Sequence, residues 1–215
     1  KGINLCSHAS KGCASSCLFG SGFGGIYDTV KQGRLNKTEY FLRDRIGFMF
    51  QLKSEIEKAI RLNKDKFQLV FRLNGTSDLP FEKYKVFEGM NIFEIFPDVQ
   101  FYDYTKNHLR FDKVLPKNYH LTFSRSETND LKSMELLKRG FNVAMVFNKL
   151  PLTYNGFDVI NGDLSDLRFK DAINVIVGLK YKINTGVGGK ERNISSRESG
   201  FVIDISKLNE LSYTI

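Results

Sequence analysis

The chain has 215 residues and a formal net charge of +8, from 32 Lys and Arg against 24 Asp and Glu. Hydrophobic residues make up 41% and charged residues 26%, a balance that excludes a wholly disordered or collagen-like chain and favours one domain with its own core. No apolar run approaches the ~18 residues of a spanning helix. The first residues, Lys-Gly-Ile-Asn-Leu-Cys, lack the apolar stretch of a signal peptide, so a soluble cytoplasmic protein with no membrane partner is expected. The positive balance would draw polyanions or anionic small molecules at long range. The basic residues form no dense tract, however, and a solvated surface accounts for them equally well.

In chain order, a short strand is expected at residues 2–5, feeding a loop that carries all three cysteines, Cys6, Cys13 and Cys17. An odd number packed this closely argues against a disulfide framework. The residues between them are small or polar and suit a loop wrapped around something compact, and soft thiolates select zinc or an iron–sulfur cluster. For zinc, His8 would complete a closed four-ligand site. For a 4Fe–4S cluster, three cysteines would leave one iron open to a non-protein ligand. The cluster is the leading expectation and zinc the alternative. Gly20, Gly22, Gly24 and Gly25 follow. They fit the letter of a dinucleotide fingerprint, but they follow the cysteine loop rather than a strand, and the acidic residues about twenty positions on fall in a helix. They are read instead as letting backbone amides approach the metal centre.

Asn36-Lys37-Thr38-Glu39 resembles a capping box and predicts one long helix over 36–63, with Met49, Leu52 and Ile56 on its apolar stripe. Beyond it, short apolar runs of strand length recur at 67–73, 99–102, 119–123, 143–147, 159–160, 174–179 and 201–205. Most of them end in a polar cluster. Helical patterns separate several of them, notably 129–139, closed by Gly140. Strand–helix–strand alternation implies right-handed crossovers and a parallel sheet whose site lies at the carboxyl ends of the strands. The expected architecture is α/β, a partial TIM-like parallel barrel of about six to eight strands with an N-terminal metal-binding cysteine loop. It is expected to form a single domain over 1–215, comprising the cysteine and glycine loop (1–25), the long helix (36–63), repeated strand–helix units (67–182) and a mobile loop (184–200).

The strand-end clusters supply the candidate cofactor- or substrate-binding residues: Asn74, Thr76, Ser77 and Asp78, then Asp103 and Lys106, then Ser124 and Glu127, then Asp163 and Arg168. Alternation puts Arg72 and Asn74 on one side of their strand, and His120, Thr122 and Ser124 together on one side of theirs. Such polar faces make either a substrate chamber or a hydrogen-bonded core network. No His-Glu-x-x-His or Gly-x-Ser-x-Gly motif occurs, and Gly188-Gly189-Lys190 is followed by Glu191 where a phosphate loop needs Ser or Thr. No catalytic residue is assigned.

Taken together, Asn4-Leu5-Cys6-x-His8-Ala9-x-x-Gly12-Cys13-x-x-x-Cys17, Arg72-Leu73-Asn74-Gly75-Thr76-Ser77-Asp78, Tyr102-Asp103-Tyr104-Thr105-Lys106, Leu121-Thr122-Phe123-Ser124-Arg125-Ser126-Glu127, Gly162-Asp163-x-x-Asp166-x-Arg168-Phe169 and Gly200-Phe201-Val202 resemble the gene product 88 family of phage and prophage proteins over nearly the whole chain. That resemblance implies a relative and a bacterial host cytoplasm rather than a reaction. More distantly, the cysteine loop is similar to that of radical S-adenosylmethionine enzymes. Those hold a 4Fe–4S cluster after the first strand of a partial barrel, with the cofactor's methionine moiety on the open iron. They space their cysteines by three residues and then two, whereas here the spacing is six and then three. Their aromatic residue before the third cysteine is replaced by Ser16. The function this implies is a radical-S-adenosylmethionine-like enzyme of unknown substrate, with the small-molecule cofactor as partner. The alternative is a nucleic-acid-binding phage protein with a structural iron–sulfur or zinc site, using Arg192 and Arg197 on phosphates.

Overall fold

The computed structural model describes residues 4–20, 26–64, 66–184 and 188–207. The short helix α1 (Lys11–Ser15) begins at Ser10, whose side chain accepts from the Cys13 amide. The helices α2 (Asp28–Arg43) and α3 (Arg45–Asn63) follow. The single helix expected over 36–63 is therefore two, and the expected capping box lies inside the first of them. Thr38 Oγ1 bonds back to Arg34 O at 3.0 Å, and Asn36 accepts from Gln32 at 2.7 Å. The break falls at Asp44, which leaves helical geometry (φ −141°, ψ 78°) and accepts from the Gly47 amide at 2.8 Å. Gly47 lets the Asp44 carboxylate lie close against this cap: a Cβ there would lie 2.2 Å from Asp44 Oδ2, so a larger residue would make that carboxylate turn. α3 buries Met49 and Ile56 as its stripe predicts, while Leu42 and Ile46 beside the break remain exposed.

Eight strands form one mostly parallel sheet: β1 (Val70–Phe71), β2 (Gln100–Thr105), β3 (Tyr119–Ser124), β4 (Val143–Phe147), β5 (Thr153–Tyr154), β6 (Phe157–Asn161), β7 (Ile176–Lys180) and β8 (Val202–Ile203). Between them lie α4 (Ile92–Ile95), α5 (Asp130–Lys138), closed by Gly140 at φ 91°, and α6 (Gly189–Glu198). The order is β1-β2-β3-β4-β7-β6-β5, with β8 paired to β4. The fold is thus α/β with a mostly parallel sheet, but the sheet is open, and the TIM-like barrel is corrected on two counts. β7 takes the place beside β4 that a sequential barrel gives to the fifth strand. β5 and β6 form an antiparallel hairpin at the far edge, turned by Asn155 (φ 50°) and Gly156 (φ 82°). Both of these residues have the positive φ that a tight hairpin turn demands.

β3 and β4 pair only where Phe123 and Ser124 meet Val143 and Ala144, and further along β4 takes β8 instead, Val146 against Val202. Arg125 stitches this divergence. Its guanidinium donates to the carbonyls of Gly200 and Phe201 at 2.6 and 2.9 Å and pairs with Asp130 at 2.6 Å. The core lies on the helix side, where Phe101, Leu121, Phe123, Val143, Met145, Phe147 and Ile176 pack against Met49, Ile56, Leu136 and Leu137. Of the strand expected at 2–5, residues 2 and 3 lie outside the described residues, and Asn4 and Leu5 are not in a strand. Among the described residues no helix is long and apolar enough to cross a membrane.

Candidate metal and ligand site

The cysteine loop lies across the carboxyl ends of β1, β2 and β3, tied to the turn after each. After β1, the Asp78 amide donates to Leu5 O at 3.2 Å, and Cys6 Sγ lies 3.6 Å from Thr76 O. After β3, the carboxylate of Glu127 accepts from Ser10 Oγ and from the Gly12 amide, both at 2.7 Å. It thereby caps the first turn of α1 with negative charge. After β2, Lys106 donates its amide to Asp78 Oδ2 at 2.9 Å and its ammonium to Ser124 Oγ at 2.5 Å. The same ammonium is near enough to Cys13 to favour its thiolate and rests 5.7 Å from the ring of Phe201.

All three thiols are free and half-buried. Burial pushes the Cys6 thiol up to about 12, with Asp78, Cys17 and Cys13 adding to the rise and Lys106 opposing it. Burial also raises Cys13, against Lys106 and with Cys17 and Glu127. The three sulfurs are thus near enough to act on one another, and Lys106 is the cation set against them. Buried thiols of this kind give up their protons to a metal ion. The donor set fits a soft metal or an iron–sulfur cluster. Ser16 Oγ, between the second and third cysteines in the sequence, is buried without a hydrogen-bond partner. Among the described residues, however, no three of His, Cys, Asp and Glu are gathered tightly enough to share a single ion as they stand.

The expected site residues fall into two groups, with His8, Asp163 and Arg168 apart from both. Cys6, Cys13, Cys17, Thr76, Asp78, Lys106, Ser124 and Glu127 come together. Asn74, Ser77 and Asp103 instead form a closed network on the core side of the sheet. Asp103 is wholly buried and accepts from the Asn74 amide (2.8 Å), Asn74 Nδ2 (3.0 Å) and Tyr119 Oη (3.0 Å), while Ser77 Oγ donates to Asn74 Oδ1. Arg110, 2% exposed, continues the network from Tyr119 to Glu82 and to Asp78 Oδ1 at 3.2 Å. With its lone pairs already committed, this network holds Asp78 in place beside the cysteines rather than presenting a ligand surface. Asn74 and Arg72 do not share a face, because β1 ends at Phe71 and the alternation does not carry past it. His8 is exposed, its Nδ1 2.9 Å from Ser7 Oγ. Asp163 caps the end of β7 through the Lys180 amide, and Arg168 is buried under the opposite face of the sheet.

Sequence reasoning missed the other half of the anchorage. Within the segment expected as a mobile loop, 189–198 form α6, which packs along α1. Arg192 Nε and Asn184 Nδ2 both donate to Ser15 O at 3.2 Å, Arg192 Nη2 to Cys17 O at 3.4 Å, and Ser195 Oγ meets Ser15 Oγ at 3.1 Å. A Cβ on residue 20 would lie 1.8 Å from Arg192 Nη1, so Gly20 makes room for the guanidinium; Gly22, Gly24 and Gly25 lie outside the described residues. The available signal was a pair of arginines, Arg192 and Arg197, in an otherwise polar, glycine-containing segment.

Fold and site define an open-sheet α/β protein with a three-thiol loop braced over its strand ends. The family model described as "Gene product 88" matches residues 1–204, and the chain belongs to that family. No curated protein and no solved structure matches it.

Proposed function

We propose that this chain is an iron–sulfur protein in which Cys6, Cys13 and Cys17 hold a 4Fe–4S cluster with one iron free of cysteine, and that it acts as a radical-S-adenosylmethionine-like enzyme. The observation that carries the reading is the meeting of all three thiols over the carboxyl ends of β1–β3, against the ammonium of Lys106. The exposure of His8 favours three protein ligands over the closed zinc site. Such a cluster supplies, when bound, one-electron chemistry and an open coordination position.

The protein's own part is to hold and bias that centre. Glu127 and Arg192 fix the two ends of the ligand loop, while Asp78, locked by Arg110, sets Lys106 beside Cys13. Lys106 offsets negative charge on the thiolates, and its neighbour Ser124 opens toward the inner face of the sheet. Of the two arginines of the nucleic-acid alternative, Arg192 donates to loop carbonyls, while Arg197 is exposed beside the ring of Tyr181.

The test is anaerobic purification from iron-replete cells with iron, sulfide and zinc analysis, followed by electron paramagnetic resonance of the reduced protein. The expected outcome is about four irons and four sulfides per chain, with a spectrum that changes on adding S-adenosylmethionine. Stoichiometric zinc without iron would overturn the cluster; a cluster whose spectrum ignores the cofactor would overturn the enzyme.

A further inference from the structure

Eight buried side-chain nitrogen and oxygen atoms of the described residues have no hydrogen-bond partner, and six of them belong to one cluster: Arg72 Nε, His120 Nε2, Thr122 Oγ1, Arg168 Nε and Nη1, and Asp171 Oδ2. The register sets Tyr102 opposite His120 and Tyr104 opposite Thr122, so these four share the sheet face away from the main core. Arg72 lies 4.7 Å over the ring of Tyr104, and the charge of Arg168 acts on both Tyr104 and His120. Thr122 is 0% and Arg168 1% exposed.

Buried polar atoms are almost always paired, so a concentration of orphans marks a missing partner. The neighbouring carboxylates fill only part of the gap. Asp166, at the rim, is already taken by Arg72 Nη1 (3.2 Å) and by the hydroxyls of Tyr102 (2.9 Å) and Tyr104 (3.2 Å). Asp171 stands 3.3 Å from Arg168 Nη1, and neither of those two atoms makes a hydrogen bond. With Arg168 Nη1 set against Asp171 as an ion pair, what remains is two guanidinium nitrogens, Arg72 Nε and Arg168 Nε, with the Thr122 hydroxyl and the His120 imidazole nitrogen. Guanidinium and hydroxyl donors converging in a desolvated place select an oxygen-rich acceptor.

We propose that the inner face of the sheet beneath residues 162–171 is a binding site for the oxyanion group, carboxylate or phosphate, of a small molecule, held by Arg168, Arg72, Thr122 and His120. Tyr102 and Phe169, with ring centroids 6.1 Å apart, wall it on one side. The site stands on its own observation and does not depend on the cysteine centre.

Calorimetric titration of the full chain with inorganic phosphate and, separately, with acetate tests it, alongside the imidazole resonances of His120. Saturable binding of at least one anion that shifts the His120 signals is expected, and the tighter of the two tells a phosphate source from a carboxylate one. Thr122→Val, which keeps the side-chain volume, should weaken binding about tenfold or more, and Arg168→Met should abolish it. The valine variant decides the matter where the methionine variant fails to fold. No saturable binding of either anion, an affinity unchanged in Thr122→Val, or a crystal grown in phosphate with only water on these atoms would overturn the proposal.

Discussion

Asp103 is the residue at which burial and hydrogen bonding pull hardest in opposite directions. Three donors favour its charged form, yet complete burial wins and pushes its carboxyl from 3.8 up to about 6. A folded-state value above the unfolded one means that the folded chain binds the proton more tightly. The stability this carboxyl contributes is therefore full below about pH 4 and is lost as pH rises through about 6, amounting to up to about 3 kcal/mol. Asp103→Asn removes the titration. In urea unfolding, the stability of wild type relative to that variant should thus rise between pH 7 and pH 4.5; a relative stability that falls over the same interval would mean that the hydrogen bonds outweigh burial. Sequence placed Asp103 at a strand end and so among ligand-binding residues. What it could not show was the partner, because Tyr119 lies on the neighbouring strand, two positions before the Leu121 that faces Asp103, and only the pairing of β2 with β3 brings its hydroxyl there.

At the scale of elements, α1 and α6 form one clamp. Five helical residues are far too few to hold a helix by themselves, so α1 depends on the Glu127 carboxylate at its start and on Arg192 at its end. Losing the charged donor of Arg192 in Arg192→Met should remove about 1.5–3 kcal/mol of local stability. Amide exchange within 189–198 should then accelerate at least tenfold while β2 and β3 keep their protection; unchanged exchange in α6 would show the contact to be incidental. Gly20→Ala, which puts a methyl group where the guanidinium lies, should act in the same direction. The strands of the sheet centre were legible because continuous apolar runs such as Val143–Phe147 are buried on both faces. The break at Asp44 was hidden because helical periodicity runs through it, and only the short Asp-to-Gly47 cap marks it. The hairpin was readable and passed over: Asn155-Gly156 between Tyr154 and Phe157 is a strong turn signal.

Across the whole molecule, one sheet separates three polar systems. The core side carries the satisfied Asp103–Tyr119–Arg110 network, the inner face carries the unsatisfied Arg168 cluster, and the carboxyl edge carries the thiols with Lys106. Asp78 joins the first to the third through Arg110 and the Lys106 amide, and the strand β3 joins the second to the third through Thr122 and Ser124. The cysteine loop was legible as a unit because all its thiols fall within a short stretch. Its bracing was not, because Glu127 and Arg192 reach it from far along the chain. The most direct test of the central claim is the metal content, under anaerobic conditions, of wild type beside Cys6→Ala, Cys13→Ala, Cys17→Ala and His8→Ala. Each cysteine variant is expected to lose most of its iron and sulfide, and His8→Ala to retain them. Cysteine variants that keep the wild-type content, or a His8→Ala protein that loses it, would contradict a centre held by the three thiols alone.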